Sequence, residues 1–313
     1  MLPKFDYNPL EASFGSLAPA PRLAGTLILR IWDVEHGACA MLHHLDNNGV
    51  PGRLAMIDSG DTAHWKPSRY IRYGLNRTRL DYLFITNADQ DHMSDLQGLW
   101  DLGISVAVWH RNPSLSPEIF RRIKEQNSPL TRDAVRYMQN LGSMTDVVAE
   151  PFDQYMGGIT TTQFWNSYPL FGTTNDLSLV VFIKFAGFKI LFPGDLEEPG
   201  WLALLMNPLF RNELMNTDIL VASHHGRDNG YCREVFDYCH PQAVVMSDKS
   251  IVHDTQELMA RVYHDEVVKH HPAGVFVTTT NKRRHVLTTR RDGHIHFVVD
   301  GNGGFAITTE CAG

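Results

Sequence analysis

The sequence is poor in cysteine. It has four, Cys39, Cys232, Cys239 and Cys311, and none of them stands at the two-residue spacing of a zinc knuckle or a redox pair. A disulfide scaffold is thereby excluded, and free thiols in a reducing compartment are expected. Long apolar runs are missing too, since nothing approaches the roughly 18 residues that a membrane helix requires. The opening stretch, MLPKFDYNPLEASFG, carries an early lysine but no apolar segment leading to small residues, so a secretory leader is not expected. A cytoplasmic protein with no membrane partner is the expectation. Positive charge is not in excess either: 28 Lys and Arg against 35 Asp and Glu leave a net charge of -7. That excludes coating a polyanion through bulk charge, and any such ligand must be met locally. There is no repeat of fixed period. The late GNGG leads into no helix and is not a dinucleotide loop.

What is present is an ordinary globular composition, 43% hydrophobic and 20% charged over 313 residues, enough to bury a large core. Residues 1–25, with SLAPAPRLAG, lack a sustained period and read as a loose arm. From Thr26 the pattern turns to β-type runs: TLILRIW, ACAMLHHL, RLAMIDSG, the continuously apolar LDYLFI, and SVAVWH. Residues 115–142 are expected as two helical pieces broken near NSPLT, where Ser or Thr can cap and Pro interrupts. A second set of strands follows, from ITTTQFWN to HIHFVVD, with PGWLALLM and TQELMARVYHDEVVKHH as helices among them. Two strand-rich halves separated by helices suit an α+β, four-layer αββα sandwich in one domain over residues 26–300, with 301–313 as a flexible tail.

The candidate chemistry lies where these runs end. Asp58 closes RLAMID; Asn87, Asp89, Asp91 and His92 follow LDYLFI; Asp195 closes KILFPGD; His224 and His225 follow DILVAS; His253 follows AVVMSDKSIV. Loops at strand ends carry function in layered α/β folds, because rigid backbone can aim several side chains at one point. Each group also has a plain structural reading. The acidic run could be a solvated turn capping the next helix, PGD a strand-to-helix turn, His224 and His225 a surface pair, and Asp58 a turn residue before Ser59 and Gly60. His240 and His264 compete with His253. Lys282, Arg283 and Arg284, with Arg290 and Arg291, read as a solvated face or as contacts to a phosphate backbone.

Taken in order, WDVEHGACAML, MIDSG, TNADQDH, NDLSLVV, FPGD, SHHGR, KSIVHD and TTRRDGHIHF resemble the metallo-β-lactamase superfamily. They are most similar to the soluble hydrolase domain of the ComEC family of DNA-uptake proteins, which reads DVGQGD, IDTG, THxDxDH, NxSLVL, TGD, HHGS, a later histidine and a closing T-x-x-DG-x-I. The likeness runs from about residue 26 to 300, without the membrane helices of the uptake proteins. Two departures stand out: Asn87 replaces the first histidine of THxDxDH, and Arg227 replaces the serine of HHGS.

The resemblance implies one metal held by Asp91, His92, Asp195 and His253, and a weaker neighbour near Asn87 and Asp89 with Asp195 bridging. NDLSLVV supplies only Asn175 and Ser178 where the superfamily has another histidine, so that second site is short of ligands. One or two divalent ions are expected, Mn²⁺ or Zn²⁺ with Mg²⁺ also open, since an amide oxygen and carboxylates favour hard cations. Such ions would acidify a water that attacks phosphorus. Asp91, His224, His225 and Asp58 form the expected catalytic group. His224 or His225 would polarise a phosphoryl oxygen or complete the weaker site, and Asp58 would orient the ligands from behind. Arg227, Lys282, Arg283 and Arg284 are candidates for substrate phosphate.

The expected function is a metal-dependent phosphodiesterase or nuclease acting on DNA, preferably single-stranded. Its rivals are a hydrolase of a small phosphodiester, cyclic nucleotide, thioester or lactam, and a catalytically degenerate module that binds nucleic acid or a protein partner. Asn87 is the feature that raises the last.

Overall fold

A computed structural model describes residues 24–125, 129–144, 150–249 and 254–311. The strands of the first half are β1 (Thr26–Ile31), β2 (Ala40–Leu45), β3 (Pro51–Ile57), β4 (Arg79–Phe84), β5 (Ser105–His110) and β6 (Thr160–Trp165). Those of the second are β7 (Leu179–Phe185), β8 (Phe188–Phe192), β9 (Ile219–Val221), β10 (Ala243–Met246), β11 (Val275–Val277), β12 (Lys282–Arg284), β13 (Val286–Thr288), β14 (Ile295–Asp300) and β15 (Phe305–Thr309). Among the described residues they form two sheets, ordered β12-β11-β15-β14-β1-β2-β3-β4-β5 and β13-β10-β9-β8-β7-β6.

The helices are α1 (Pro67–Arg69), α2 (Gln90–Met93), α3 (Leu96–Asp101), α4 (Pro117–Lys124), α5 (Arg132–Ser143), α6 (Phe152–Tyr155), α7 (Glu198–Leu205), α8 (Pro208–Leu214), α9 (Asp254–His270) and α10 (Thr289–Asp292). The two pieces expected over 115–142 are α4 and α5. Ser116 caps α4 by accepting from the Ile119 N–H, and Thr131 caps α5 by accepting from Ala134.

Side-chain alternation along buried strands builds the layers. On β7, Leu179, Val181, Ile183 and Phe185 join the core between the sheets, whereas Val180 and Phe182 face Trp201, Phe210 and Tyr263 on the helices outside. On β4, Tyr82 and Phe84 point into the inter-sheet core, and Leu83 packs with Leu99, Phe120 and Tyr137 on the opposite outer layer. Three apolar interfaces between four layers give the αββα sandwich. The continuous apolar runs LDYLFI and LSLVVFI are what a strand covered on both faces requires.

One expectation is corrected. Residues 305–309 are not a tail: β15 pairs antiparallel with β14 and buries Ile307 in the inter-sheet core. The glycine-rich GNGG is the hairpin turn between them, closed by the Asp300 N–H donating to the Gly304 carbonyl at 2.8 Å, with Gly303 at φ +83°. Lys282, Arg283 and Arg284 form edge strand β12, the second arm of an antiparallel hairpin with β11, where charge keeps the open sheet edge from pairing with another chain. Residues 1–23, most of the expected arm, lie outside the described residues.

Parallel neighbours place the candidate groups together. β3 and β4 run parallel in one sheet, and β8, β9 and β10 run parallel in the other, so their carboxyl ends open at the same edge. Asp58, Thr86, Asp195, Ser223 and Ser247 all lie one to three residues past those ends.

Candidate metal centre

Each side chain at this edge is set by its own backbone. Asp58 takes a left-handed φ of +59° directly after β3, a conformation that Asp tolerates better than most residues. The turn lets its carboxylate accept from the Thr86 N–H at 2.7 Å and from the Thr86 hydroxyl at 2.5 Å. His92 sits on the four-residue α2, which Asp89 precedes. Asp195 follows Gly194, and its N–H donates to Ser178 Oγ at 3.1 Å, so NDLSLVV supplies the support for the FPGD turn. His224, His225 and Gly226 all have positive φ, of 51°, 57° and 76°, which turns both imidazoles inward after β9.

These turns bring Asp91, His92, Asp195 and His225 together, with one potential donor atom from each lying within 4.8 Å of the others. His92 is sealed from solvent and meets a carboxylate at each ring nitrogen: Asp58 Oδ2 at 2.9 Å from Nδ1, and Asp195 Oδ1 at 2.9 Å from Nε2. His225 Nδ1 donates to the Ser247 carbonyl at 3.1 Å, leaving Nε2 to face Asp91 Oδ2 at 3.3 Å and Asp195 Oδ1 at 3.5 Å. That Nε2 is buried and makes no hydrogen bond. An imidazole lone pair aimed at two carboxylate oxygens is stable only when a cation or a second proton sits among them. The donor set therefore fits a divalent ion with mixed nitrogen and oxygen ligands.

The protonation states agree with that reading. Burial pulls the His92 pKa down, but the Asp195 and Asp58 carboxylates outweigh it and hold it well above the usual imidazole range. Burial raises Asp195, yet the charges of His92 and His225 hold it lower, at about 2. Asp91 likewise is raised by burial and pulled well below the carboxylate range by His225, His92 and His36. In the metal-free protein, the proton on His92 stands where an ion would bind.

The structure does not bring every expected ligand to the cluster. Asn87 is buried with its amide satisfied elsewhere: Nδ2 donates to Asn175 Oδ1 at 2.9 Å, and Oδ1 accepts the Asp89 N–H at 2.9 Å. The Asp89 carboxylate is taken by the Lys124 ammonium and by the Thr174 hydroxyl at 3.0 Å. His225 joins the cluster, a place the resemblance had not given it, and His253 lies outside the described residues. His224 stands at the rim, its Nε2 3.9 Å from Asp195 Oδ2 and its Nδ1 3.6 Å from Glu197 Oε1. Arg227 is at the same rim, donating to His224 Nε2 at 3.1 Å and to His36 Nε2 at 2.9 Å. Lys282, Arg283 and Arg284 are on β12, at the far edge of the larger sheet from the β3 and β4 ends.

Sequence reasoning missed His36, Lys124, Glu197 and Ser247. His36 was legible as the histidine of DVEHG, just after β1, and its Nε2 lies 3.4 Å from Asp91 Oδ2. Burial and the His225 charge hold its pKa down at about 4, so it accepts from Arg227 as a neutral imidazole. Nothing local marks Lys124, which comes from the last turn of α4, 35 residues along the chain from Asp89.

No protein-family model matches the chain, and no curated protein matches it. Among solved structures it is similar to a mutant of the CmlA β-hydroxylase, with a TM-score of 0.46 and 13% identity over 88% of this chain and 54% of that one. It is also similar to CmlA, a diiron β-hydroxylase from Streptomyces venezuelae, with a TM-score of 0.42 and 16% identity over 90% and 55% of the two chains. A diphosphatase from the PhnP family gives a TM-score of 0.37 and 11% identity over 85% and 96%. The chain spans about half the length of the CmlA structures it matches. Likenesses this distant decide nothing about its chemistry, which rests on its own side chains.

Proposed function

We propose that this chain is a metal-dependent hydrolase of the metallo-β-lactamase type acting on phosphodiesters, with single-stranded DNA as the foremost substrate. The observation that carries the reading is His225. Its Nδ1 is committed to the Ser247 carbonyl, and its orphaned Nε2 is aimed at Asp91 and Asp195. Asp91, His92, Asp195 and His225 would hold the ion, which supplies Lewis acidity and an acidified water when bound. Asp58 keeps His92 in the tautomer that presents Nε2 forward. Ser178 fixes the turn carrying Asp195. His224 and Arg227 stand at the rim, where a guanidinium suits a phosphoryl oxygen.

A polyanionic substrate is supported by a second feature. Although the protein is acidic overall, a cleft of about 640 Å³ is lined by Arg261, Arg283, Arg284, Arg290 and Arg291. Arg284 pairs with Asp292, Arg290 with Asp248 and Arg261 with Glu257, whereas Arg283 and Arg291 have no carboxylate partner among the described residues. Two unmatched guanidiniums in one cleft offer a local grip on phosphate of the kind that an acidic chain requires.

The test uses protein stripped with chelator and reloaded with Mn²⁺ or Zn²⁺, assayed on a labelled single-stranded oligonucleotide and on bis(p-nitrophenyl) phosphate. Cleavage that needs the metal and disappears in Asp195→Ala supports the proposal. Cleavage of the small diester alone selects a small-molecule phosphodiesterase. If the oligonucleotide binds and no diester is cut with either ion, the second reading holds, a binding module without catalysis, which the spent amide of Asn87 favours.

A further inference from the structure

The Asn87 amide, the Asp89 carboxylate and His224 Nε2, donors from which a second metal ion would be built, are each occupied by another group of the chain. The resemblance places that ion at Asn87 and Asp89, bridged by Asp195, with His224 at hand. The Asn87 amide is engaged at both ends, by Asn175 and by the Asp89 backbone. The Asp89 carboxylate binds the Lys124 ammonium, and the Thr174 hydroxyl donates to its two oxygens at 3.0 Å each. His224 Nε2 accepts from Arg227 Nη1 at 3.1 Å. Its other nitrogen makes no hydrogen bond and faces Glu197 Oε1 at 3.6 Å, an oxygen that already takes hydrogen bonds from Asn175 and Asn229 at 2.8 Å each, so one imidazole nitrogen is all that is left for a second ion. A carboxylate or imidazole lone pair already facing a fixed positive charge is a poor ligand for a further cation, both because the lone pair is spent and because like charges repel.

We infer that Lys124 and Arg227 stand in for the second divalent ion, so that the chain binds a single metal, at Asp91, His92, Asp195 and His225. Their two unit charges equal that of the ion they replace. Lys124 is placed for this by its position in the last turn of α4, where the helix C-terminus favours a cation and the side chain extends to the loop before α2. Arg227 is placed by the extended backbone that follows the left-handed His224–His225–Gly226 turn. The two sequence departures at this site thereby have one explanation. Asn87 cannot serve a second ion that is not there, and Arg227 carries part of its charge. Both cations remain partly open to solvent on one side, where a phosphoryl group would gather negative charge in the transition state. The inference rests on the proposed metal centre being real.

The experiment is metal counting on the full chain. Metal-free protein is titrated with Mn²⁺, the bound ions are counted by elemental analysis, and electron paramagnetic resonance reports whether bound ions are isolated or coupled through a shared ligand. One ion per chain, magnetically isolated, is expected. A variant combining Asn87→His, Lys124→Ala and Arg227→Ser should gain a second ion, coupled to the first through Asp195. Two ions on the unaltered chain would overturn the inference and leave the metal centre standing. So would a triple variant that binds the first ion and never a second. No bound ion on the unaltered chain would overturn the metal centre itself, and the inference with it.

Discussion

Asp58 Oδ2 lies 2.9 Å from His92 Nδ1, and both side chains are shut away from solvent. Asp58 stands behind His92, one of the four clustered donors, so its carboxylate decides which ring nitrogen of the imidazole is presented to the others. Asp58→Asn keeps the shape and the left-handed backbone that Asn also tolerates, and removes the charge. Metal affinity measured by competition with a chelating dye is expected to fall about 10- to 100-fold. An affinity equal to that of the unaltered chain would remove Asp58 from the site.

His92 Nε2 must choose between a proton and a metal. Burial opposes its charge, but Asp195 and Asp58 hold its folded pKa well above 6.5. In the metal-free protein that raised value contributes stability fully present below pH 6.5 and lost as the pH climbs through the folded value. Asp195 works in the opposite direction: its depressed pKa contributes stability present above 3.8 and lost as the pH falls towards about 2. Metal binding displaces the Nε2 proton, so affinity should rise with pH, by up to about tenfold per unit for each proton released. Calorimetric titrations in buffers of different ionisation heat count those protons, and a count of zero near neutral pH would contradict the arrangement.

Gly194 leads the chain into Asp195 at φ +63°, and a Cβ there would lie 2.9 Å from Ser178 Oγ and 3.1 Å from Thr86 Cβ. Gly194→Ala therefore strains the backbone and pushes away the hydroxyl that accepts from the Asp195 N–H. A stability loss of about 1–3 kcal/mol in denaturant unfolding is expected, together with weaker metal binding. A variant as stable as the parent, with unchanged affinity, would show that the turn adapts.

Arg283→Glu and Arg291→Glu address the arginine cleft alone. Binding of a single-stranded oligonucleotide should weaken, and the dependence of its affinity on salt should become shallower, by about one unit of slope for each phosphate that an arginine no longer neutralises. Metal content should not change, because neither residue is among the four clustered donors. An unaltered salt dependence would leave these arginines as edge-strand and surface charge.

Much of this molecule is local in origin. The runs LDYLFI and LSLVVFI are buried on both faces because nearly every position is apolar, and their partners in the two sheets follow from alternation. That Asp58, Asp91, His92, Asp195 and His225 would sit just past strand ends was legible from turn chemistry and apolar runs, which act over a few residues. GNGG misled because a glycine-rich hairpin and a glycine-rich tail are spelled alike. Only the pairing of Ile307 into the inter-sheet core separates them. The contacts that surround these donors are ones that no local pattern encodes: Lys124 reaches Asp89 across 35 positions, and Arg227 reaches His36 across 191. The sequence by itself determined the layers and the edge at which the chemistry lies, because strand periodicity and turns are short-range properties. Only the tertiary structure decided which lone pairs stay free for a metal and which are spent on lysine, arginine and asparagine, because that depends on side chains brought together from separate layers.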